Sequence, residues 1–148
     1  MPVIDRYLSS DDIVVDLDVA DKEQALEAAA LMAERRHHID HVSVFRSLWR
    51  REQTGSTGLG HGFAVPHARI AGISEPIVLL MRTKRPILYG APDRKPVSVL
   101  LAILVPEQAN QEHLQILAEA SAKFADENFR QRLAAAGDPA AIHHLLCE

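Results

Sequence analysis

The stretch from Val97 to Val105 constrains the fold of this chain more strongly than any other. All of its residues except Ser98 are apolar, and most are valine, isoleucine or leucine. A strand that is apolar on both faces is typical of the centre of a sheet that helices cover on both sides. Pro106 follows and has no backbone N–H, so strand pairing should stop there. We therefore predict a central strand at 97–105.

The rest of the chain supplies elements that can surround this strand. Four shorter apolar segments are predicted to be strands, at 13–17, 63–65, 76–83 and 86–89. Three longer helices are predicted to follow residues that commonly cap helix N-termini, namely Asp21, Asp40 and Asn110. Two shorter helices are predicted at 127–135 and 139–146. Because helices fall before, between and after strands, we predict a three-layer α/β domain whose mixed parallel and antiparallel sheet has about five strands.

Patterns within the longer helices indicate their ends and their buried faces. The first helix is expected to run from Asp21, with Gln24 in the capping-box position, to about Arg36. Gly55 suits the position just after a helix C-terminus, so the second helix should end near it. The apolar stripe of the third helix is predicted to be Leu114, Leu117, Ser121 and Phe124. His113 is in register with Leu117, Ala120 and Phe124.

Length and composition limit the classes of function. A chain of 148 residues with 47% hydrophobic and 24% charged residues is predicted to form one globular domain, 1–148. The net charge of −4 and the lack of a basic stripe argue against nucleic-acid binding. No apolar run reaches about 18 residues, so membrane insertion is not expected. The lone Cys147 excludes an internal disulfide, and the N-terminus lacks the pattern of a signal peptide, so we expect a cytoplasmic location.

The most unusual local composition lies between Gly55 and His67. Four glycines fall within residues 55–62, and the chain then becomes apolar and reaches Pro66 and His67. Dense glycines allow turns with positive φ and a close approach of the backbone to another group. If a strand at 63–65 stops at Pro66, His67 lies at a strand end, on an open rim where α/β folds commonly keep their chemistry.

The residues near this rim are suited to the transfer of a phosphoryl group. A nucleophilic imidazole must be neutral at pH 7 and must expose the lone pair of one ring nitrogen. The transferred group needs donors for its charged oxygens. The hydroxyls of Ser56 and Thr57, the backbone of their turn and the guanidinium of Arg51 can supply them. His113 lies in the first turn of the helix after Asn110, where the helix dipole favours an anion.

Most of the eight histidines are predicted to have no role in the site. Five are predicted to be solvated surface or helix-capping residues: His37, His38, His41, His143 and His144. A metal site built from the first three is an alternative, but no matching spacing of carboxylates and cysteines supports it, so no metal is predicted. Taken singly, His67 fits a structural histidine at a strand end, and His113 fits one packed at the core edge. No Gly-Lys-Ser/Thr sequence follows the glycines, so no nucleotide or other cofactor is expected.

The sequence resembles a known family in two places. The run Arg51-Glu52, Gly55-Ser56-Thr57-Gly58-Leu59-Gly60 and Gly62-Phe63-Ala64-Val65-Pro66-His67 is similar to enzyme IIA domains of the bacterial phosphoenolpyruvate-dependent phosphotransferase system. The similarity is to the branch that contains the fructose, mannitol and nitrogen-regulatory members. His113-Leu114 with Leu117, after the apolar strand, is the second match. The resemblance covers roughly residues 4–146 and implies a mixed sheet flanked by helices.

The resemblance also implies a role for each candidate site residue. His67 matches the residue that accepts a phosphoryl group, through Nε2, from a histidine phosphocarrier protein. His113 matches the second active-site histidine, and Arg51 matches an arginine near the phosphate. Ser56 and Thr57 match the loop that faces it. The implied activity is that of a phosphotransferase with a phosphohistidine intermediate.

The branch within the family is inferred from the organisation of the chain. A single domain without a fused transporter or carrier domain looks most like the nitrogen-regulatory type, which signals to regulatory target proteins through its phosphorylation state. The alternative is a free-standing subunit for uptake of fructose or mannitol, with a sugar permease component as partner. A more distant alternative is a hydrolase or metal-binding domain that uses His61, His67 and His113. Two positions depart from the family: Ala68 replaces a common glycine, and His61 stands where nitrogen-branch members often have asparagine.

Overall fold

The computed structural model describes residues 3–148, in which a six-stranded mixed sheet lies between two layers of helices. The strands are β1 (Ile13–Leu17), β2 (Gly58–Gly60), β3 (Phe63–Ala64), β4 (His67–Ile70), β5 (Ile77–Ile87) and β6 (Val97–Pro106). The helices are α1 (Ile4–Tyr7), α2 (Lys22–His37), α3 (His41–Gln53), α4 (Gln111–Ala125), α5 (Glu127–Ala135) and α6 (Pro139–Leu146), and a 3₁₀ helix (Ser10–Asp12) precedes β1. The predicted three-layer α/β architecture is confirmed.

The strand β6 lies inside the sheet, as its apolar sequence predicts. The strand order is β1-β5-β6-β3-β2, and β4 pairs with β6 beyond the end of β3. β5 runs antiparallel to β6, whereas β3 and β4 run parallel to it. β1 pairs parallel to β5, and β2 pairs antiparallel to β3. β6 is therefore paired along both of its edges.

Alternate side chains of β5 and β6 enter two separate cores. The face toward α2 and α3 carries Leu79, Met81, Leu100 and Ala102. The face toward α1, α4, α5 and α6 carries Val78, Leu80, Leu101 and Ile103. All eight are fully buried, and burying a large aliphatic side chain typically contributes about 1.5–3 kcal/mol. Burial on both faces explains why β6 shows no alternation of apolar and polar residues.

The predicted helices begin and end close to the expected residues. The side chain of each predicted N-cap, Asp21, Asp40 and Asn110, accepts a hydrogen bond from the backbone N–H three residues later. Gln24 completes the cap of α2 by accepting a hydrogen bond from the N–H of Ala20 at 2.8 Å. The bounds of α5 and α6 agree with the predicted 127–135 and 139–146. The capping residues therefore predict where α2, α3 and α4 begin.

The strand predictions around the glycine-rich stretch need correction. Gly58–Gly60, where the sequence predicts no strand, forms β2, and a Cβ atom on Gly58 would lie only 2.7 Å from Cβ of Ala91. Pro66 does not end the pairing with β6, because its carbonyl accepts a hydrogen bond from the N–H of Ile103 at 2.9 Å. The edge of the sheet then resumes as β4 at His67. His67 is thus the first residue of a strand, after a break of two residues.

Two further predictions were wrong in detail. The segments 76–83 and 86–89 are not separate strands, because β5 continues to Ile87 through an irregularity in its pairing with β6. The buried residues of α4 are Ile116, Ala120 and Phe124, so the inner face is rotated relative to the predicted stripe. Phe124 packs on Phe63 of the sheet with 4.7 Å between ring centroids, which fixes that face inward. Leu114 is consequently 41% exposed.

Among residues 3–148, no helix is both long enough and apolar enough to cross a lipid bilayer.

Candidate functional site

His67 lies at the break between β3 and β4, with its side chain half-buried. Its Nδ1 lies 2.9 Å from the backbone carbonyl oxygen of Val65. A carbonyl oxygen can only accept a hydrogen bond, so in the neutral ring Nδ1 carries the proton and donates it. Nε2 then bears the lone pair. The backbone of the break thus selects the tautomer of the imidazole.

The surroundings of His67 favour the neutral ring. Burial is the largest influence and lowers the pKa of His67 below its ordinary value. The hydrogen bond to Val65 acts in the opposite direction, the guanidinium of Arg51 lowers the pKa, and the carboxylate of Glu52 raises it. The net shift is downward, so the ring is neutral at pH 7, as a nucleophilic imidazole must be.

A cavity of about 510 Å³ opens beside His67. The end of α3 contributes Arg50 and Arg51 to its lining, β4 contributes His67, and α4 contributes Leu114 and Leu117. One side of the cavity is therefore cationic and the other is aliphatic. Such a lining can receive a small anion next to a surface suited to contact with another protein.

Arg51 is fixed at the end of α3 by the turn that follows. Its Nη1 donates to the carbonyl oxygen of Gly55 at 2.9 Å and to Oγ1 of Thr54 at 3.1 Å. These bonds involve one nitrogen of a guanidinium that has five N–H donors. Arg51 can therefore hold the turn and bind an anion in the cavity at the same time.

The two hydroxyl residues of the glycine-rich stretch have different surroundings. Oγ of Ser56 accepts a hydrogen bond from the N–H of Gly58 at 3.0 Å, which leaves the hydroxyl proton available to an anion. Thr57 is buried, and its hydroxyl is hydrogen-bonded to the carboxylate of Glu52 and lies 2.8 Å from the hydroxyl of Tyr89. The sequence predicts that the hydroxyls of Ser56 and Thr57 both face the phosphate. In the structure, the Thr57 hydroxyl instead points into the protein interior, where it is hydrogen-bonded to Glu52.

Glu52 belongs to the glycine-rich motif but is not among the residues that the sequence predicts for the site. Its carboxylate is 2.9 Å from Nζ of Lys22 and accepts hydrogen bonds from the N–H of Thr57 at 3.2 Å and the hydroxyl of Tyr89 at 3.1 Å. The sequence contains one signal for it, because every fourth residue of α3 from Val44 lies on the buried face, and this series reaches Glu52. An acidic residue at such a position indicates a buried polar cluster.

His113 lies in the first turn of α4, as predicted, where its ring packs against α1. The ring is edge-on to that of Tyr7, with 6.0 Å between centroids. Its Nδ1 is buried and has no hydrogen-bond partner within residues 3–148. His113 is not among the described residues that line the cavity beside His67. Its pairing with His67 therefore stays a prediction.

His61 lies apart from this cavity. It is exposed, has a φ of 58°, and donates its backbone N–H to the carboxylate of Asp93 at 2.9 Å. It lines a separate cavity together with Lys95 and Arg130. The hydrolase or metal alternative requires His61, His67 and His113 to line one cavity. Within the described residues they do not.

The histidines at the end of α2 have separate partners. Nε2 of His37 lies 3.1 Å from a carboxylate oxygen of Asp12. His38 is the C-cap of α2, with a φ of 59°. Nδ1 of His41 lies 2.7 Å from the carboxylate of Glu34, and this hydrogen bond raises the pKa of His41. The structure therefore does not gather these three imidazoles into one set of metal ligands.

Two other groups of potential metal ligands lie elsewhere among the described residues. They are Glu34, Asp40 and His41, and Asp5, His143 and Cys147. In the second group, Nε2 of His143 lies 2.8 Å from the carbonyl oxygen of Leu8. Burial and the neighbouring Asp5 raise the pKa of Cys147 to about 12, so its thiol is protonated at neutral pH. Hydrogen bonds within the protein thus already use the imidazole in each group.

Comparisons with known proteins identify the family of the chain. The family described as "Phosphoenolpyruvate-dependent sugar phosphotransferase system, EIIA 2" matches residues 6–148. A nitrogen regulatory protein from Pseudomonas aeruginosa is 32% identical over 146 residues, which are 98% of this chain and 95% of that protein. A fructose-specific EIIA component from Haloferax volcanii is 33% identical over 130 residues, covering 87% and 84%. The crystal structure of nitrogen regulatory protein IIA-Ntr from Neisseria meningitidis has a TM-score of 0.92 and 38% identity, covering 97% of this chain and 99% of that chain.

A neutral imidazole beside arginine side chains at the edge of such a sheet is suited to carrying a phosphoryl group. The chain belongs to the EIIA 2 family of the phosphoenolpyruvate-dependent sugar phosphotransferase system. The resemblance inferred from the glycine-rich motif is thereby confirmed. As a member of this family, the protein acts as a phosphoryl relay and is thus a phosphotransferase.

Proposed function

We propose that Nε2 of His67 accepts a phosphoryl group from a histidine phosphocarrier protein. The observation that carries this proposal is the 2.9 Å hydrogen bond from Nδ1 to the carbonyl of Val65, which leaves the lone pair on Nε2. The lowered pKa of His67 supports it, because the ring is then neutral when the donor arrives. The phosphohistidine so formed is the intermediate of the relay.

The transfer exchanges one nitrogen–phosphorus bond for another. The lone pair of His67 Nε2 attacks the phosphorus of the donor's phosphohistidine, and the donor's nitrogen–phosphorus bond breaks. The electron pair of that bond returns to the donor's imidazole. The proton on His67 Nδ1 stays in place, where the Val65 carbonyl stabilises the positive charge that the ring gains.

Arg51, Ser56 and His113 are proposed to stabilise the phosphoryl group, since such reactions depend mainly on positioning and electrostatics. Arg51 lines the same cavity as His67 and already acts on its pKa. Ser56 can donate its hydroxyl proton, whereas Thr57 acts indirectly because its hydroxyl is occupied. The role of His113 rests on the family resemblance alone.

We infer that the protein has a nitrogen-regulatory role and signals to regulatory target proteins through its phosphorylation state. Relatives from P. aeruginosa and N. meningitidis that carry the name nitrogen regulatory protein support this inference. The second candidate is uptake of fructose or mannitol, with a sugar permease component as partner. It is favoured by the similarly identical fructose-specific relative from H. volcanii. We expect a cytoplasmic location for either role, since a lone cysteine fits a reducing compartment.

The phosphorylation proposal is tested by incubation with phosphoenolpyruvate, enzyme I and the histidine phosphocarrier protein, followed by mass measurement. We expect one added phosphoryl group that is labile to acid and stable to base, as phosphohistidine is and phosphoserine is not. His67→Ala should remain unmodified, whereas Ser56→Ala, which removes a competing acceptor, should still be modified. An acid-stable product, or a modified His67→Ala protein, would show that another residue is the acceptor.

A second mixture separates the two candidate roles. The phosphorylated protein is incubated with fructose-specific and mannitol-specific IIB domains, and the loss of its phosphoryl group is followed over time. A nitrogen-regulatory protein should retain the group on the timescale in which a genuine sugar-specific EIIA component transfers it. Transfer to a IIB domain at the rate of that positive control would favour the uptake role.

A further inference from the structure

Lys22, Glu52, Thr57 and Tyr89 form a buried polar group that we call the Glu52 cluster. Glu52 is only 5% exposed. One of its carboxylate oxygens pairs with Nζ of Lys22 at 2.9 Å, and the other binds the hydroxyls of Thr57 and Tyr89. Nζ of Lys22 also lies 4.5 Å from the centroid of the Tyr89 ring. The cluster therefore joins the start of α2, the end of α3, the glycine-rich stretch and the segment after β5.

Three hydrogen bonds, linked through the backbones of Thr57 and Val65, connect this cluster to the imidazole of His67. The N–H of Thr57 donates to the carboxylate of Glu52 at 3.2 Å. The carbonyl of Thr57 accepts the N–H of Val65 at 3.0 Å. The carbonyl of Val65 accepts Nδ1–H of His67 at 2.9 Å. Thr57 and Val65 are thus each held by one hydrogen bond at the backbone N–H and another at the carbonyl, and the series begins at the carboxylate.

The packing of the glycine-rich stretch gives this series little freedom to move. A Cβ atom on Gly58 would lie 2.7 Å from Cβ of Ala91, so the backbone next to Thr57 already touches the segment that carries Tyr89. The hydroxyls of Thr57 and Tyr89 are 2.8 Å apart. A displacement of Glu52 would therefore be transmitted to Thr57 and onward to Val65.

We propose that Glu52 is a positioning residue, which holds the Val65 carbonyl in place and thereby fixes the orientation and tautomer of the His67 imidazole. The proposal rests on the proposed function in that His67 is taken as the phosphoryl acceptor. Glu52 also acts on the ring through charge, because its carboxylate raises the pKa of His67 whereas Arg51 lowers it. Two consecutive residues of α3 thus influence the same imidazole in opposite directions.

A purely structural role for Glu52 makes a different prediction. Buried ion pairs often add little net stability, because the cost of removing the charges from water offsets their attraction. If the cluster only joined four segments, its disruption would lower the free energy of unfolding and leave the imidazole of every folded molecule unchanged. A positioning role requires the imidazole itself to change.

Nitrogen NMR of the His67 imidazole in the unphosphorylated protein distinguishes these roles. We expect the Nδ1–H tautomer to dominate in the wild type and a mixture of both tautomers in Glu52→Gln, because the amide cannot accept every donor that the carboxylate accepts. The matched control is Glu119→Gln, which alters a carboxylate that binds the N–H groups of Val3 and Ile4 away from His67. Wild-type ring signals in a folded Glu52→Gln protein would overturn the proposal.

Phosphorylation time courses provide the second readout. A displacement of about 1 Å at a reacting group can cost about 10²-fold in rate, so we expect Glu52→Gln to be phosphorylated about 10- to 100-fold more slowly. Glu119→Gln should keep the wild-type rate. If Glu52→Gln does not fold, Thr57→Val replaces it, since it removes the hydroxyl but keeps the backbone N–H that binds Glu52. We then expect a smaller change in the same direction, and unchanged ring signals and rate would again overturn the proposal.

The two readouts also separate this proposal from the proposed function. The tautomer is measured without any phosphoryl donor, so it tests Glu52 whether or not His67 is the acceptor. Failure of the wild-type protein to be phosphorylated on His67 would remove the proposed function, and the ring signals would still decide whether Glu52 positions the imidazole.

Discussion

Replacing Arg51 by alanine should affect phosphoryl transfer much more than stability. The side chain makes two hydrogen bonds at an exposed helix end, to the carbonyl of Gly55 and to Oγ1 of Thr54. A typical hydrogen bond contributes about 0.5–1.5 kcal/mol, and an exposed cation near a helix C-terminus about 0.3–1 kcal/mol. Because water replaces exposed bonds easily, we expect a loss of about 1 kcal/mol. For a chain of this size, that loss lowers Tm by about 2–4 °C.

The effect of Arg51→Ala on the phosphoryl group should be larger. A phosphoryl group carries a charge of about −1.5 to −2 near pH 7, and Arg51 lines the cavity into which Nε2 of His67 would receive it. Loss of one well-placed donor typically reduces a rate about 10²–10³-fold. Arg51 also lowers the pKa of His67, so its removal should raise that pKa. Since only the neutral ring attacks, the acidic limb of the pH–rate profile should move to higher pH.

Phosphorylation time courses at pH values from about 5 to 8, where histidine titrates, measure both effects. Arg50→Ala is the matched control, because Arg50 lines the same cavity but is not among the groups that shift the pKa of His67. It should change neither the rate nor the pH profile by a comparable amount. Equal rates and equal profiles in the two variants would refute the assignment of the phosphate to Arg51.

The remaining predictions concern His113 and Gly58. His113→Ala should fold, because a partly buried ring at a helix start leaves only a modest gap, and it should transfer the phosphoryl group about 10²–10³-fold more slowly. Wild-type time courses in both directions would instead favour a packing role against Tyr7. Gly58→Ala should lower the free energy of unfolding by about 1–3 kcal/mol, measured in urea, because the new Cβ would lie 2.7 Å from Cβ of Ala91. Gly137→Ala is the control, since it meets nothing within 4 Å and should change stability by about 0.5 kcal/mol or less.

The parts of the fold that local chemistry determines could be predicted from the sequence. The N-caps, the helices after them and the apolar central strand each depend on residues within a few positions. β2 and β4 could not be predicted in the same way. Both strands are short. β4 receives its hydrogen bonds from β6, which is distant in the sequence, and β2 pairs in an irregular register with β3, a strand of only two residues. The inner face of α4 was misassigned because neighbouring stripes of the helix are both apolar, and only the sheet decides which one faces inward.

In the candidate site too, some residues could be predicted from a local motif and others could not. His67 and Arg51 belong to one short motif and line one cavity, so the sequence alone could place them together. Ser56 belongs to the same motif, and its contact with the phosphate stays a prediction. The Glu52 cluster needs Lys22 and Tyr89, which lie 30 and 37 residues away from Glu52 in the chain. No local pattern shows that a lysine, a glutamate and a tyrosine so far apart meet in the interior. For the same reason, the sequence could not predict that the Thr57 hydroxyl is hydrogen-bonded to Glu52.

The break between β3 and β4 has a consequence for how the site tolerates mutation. The acceptor for His67 Nδ1 is the backbone carbonyl of Val65, and the next carbonyl, that of Pro66, keeps the edge joined to β6. Every amino acid has a carbonyl, so no substitution at position 65 can delete this acceptor. The backbone conformation at the break, and not the side chain at position 65, thus determines which nitrogen of the His67 imidazole is protonated. Insertions or deletions near the break should therefore be far more damaging than replacement of Val65 by another aliphatic residue.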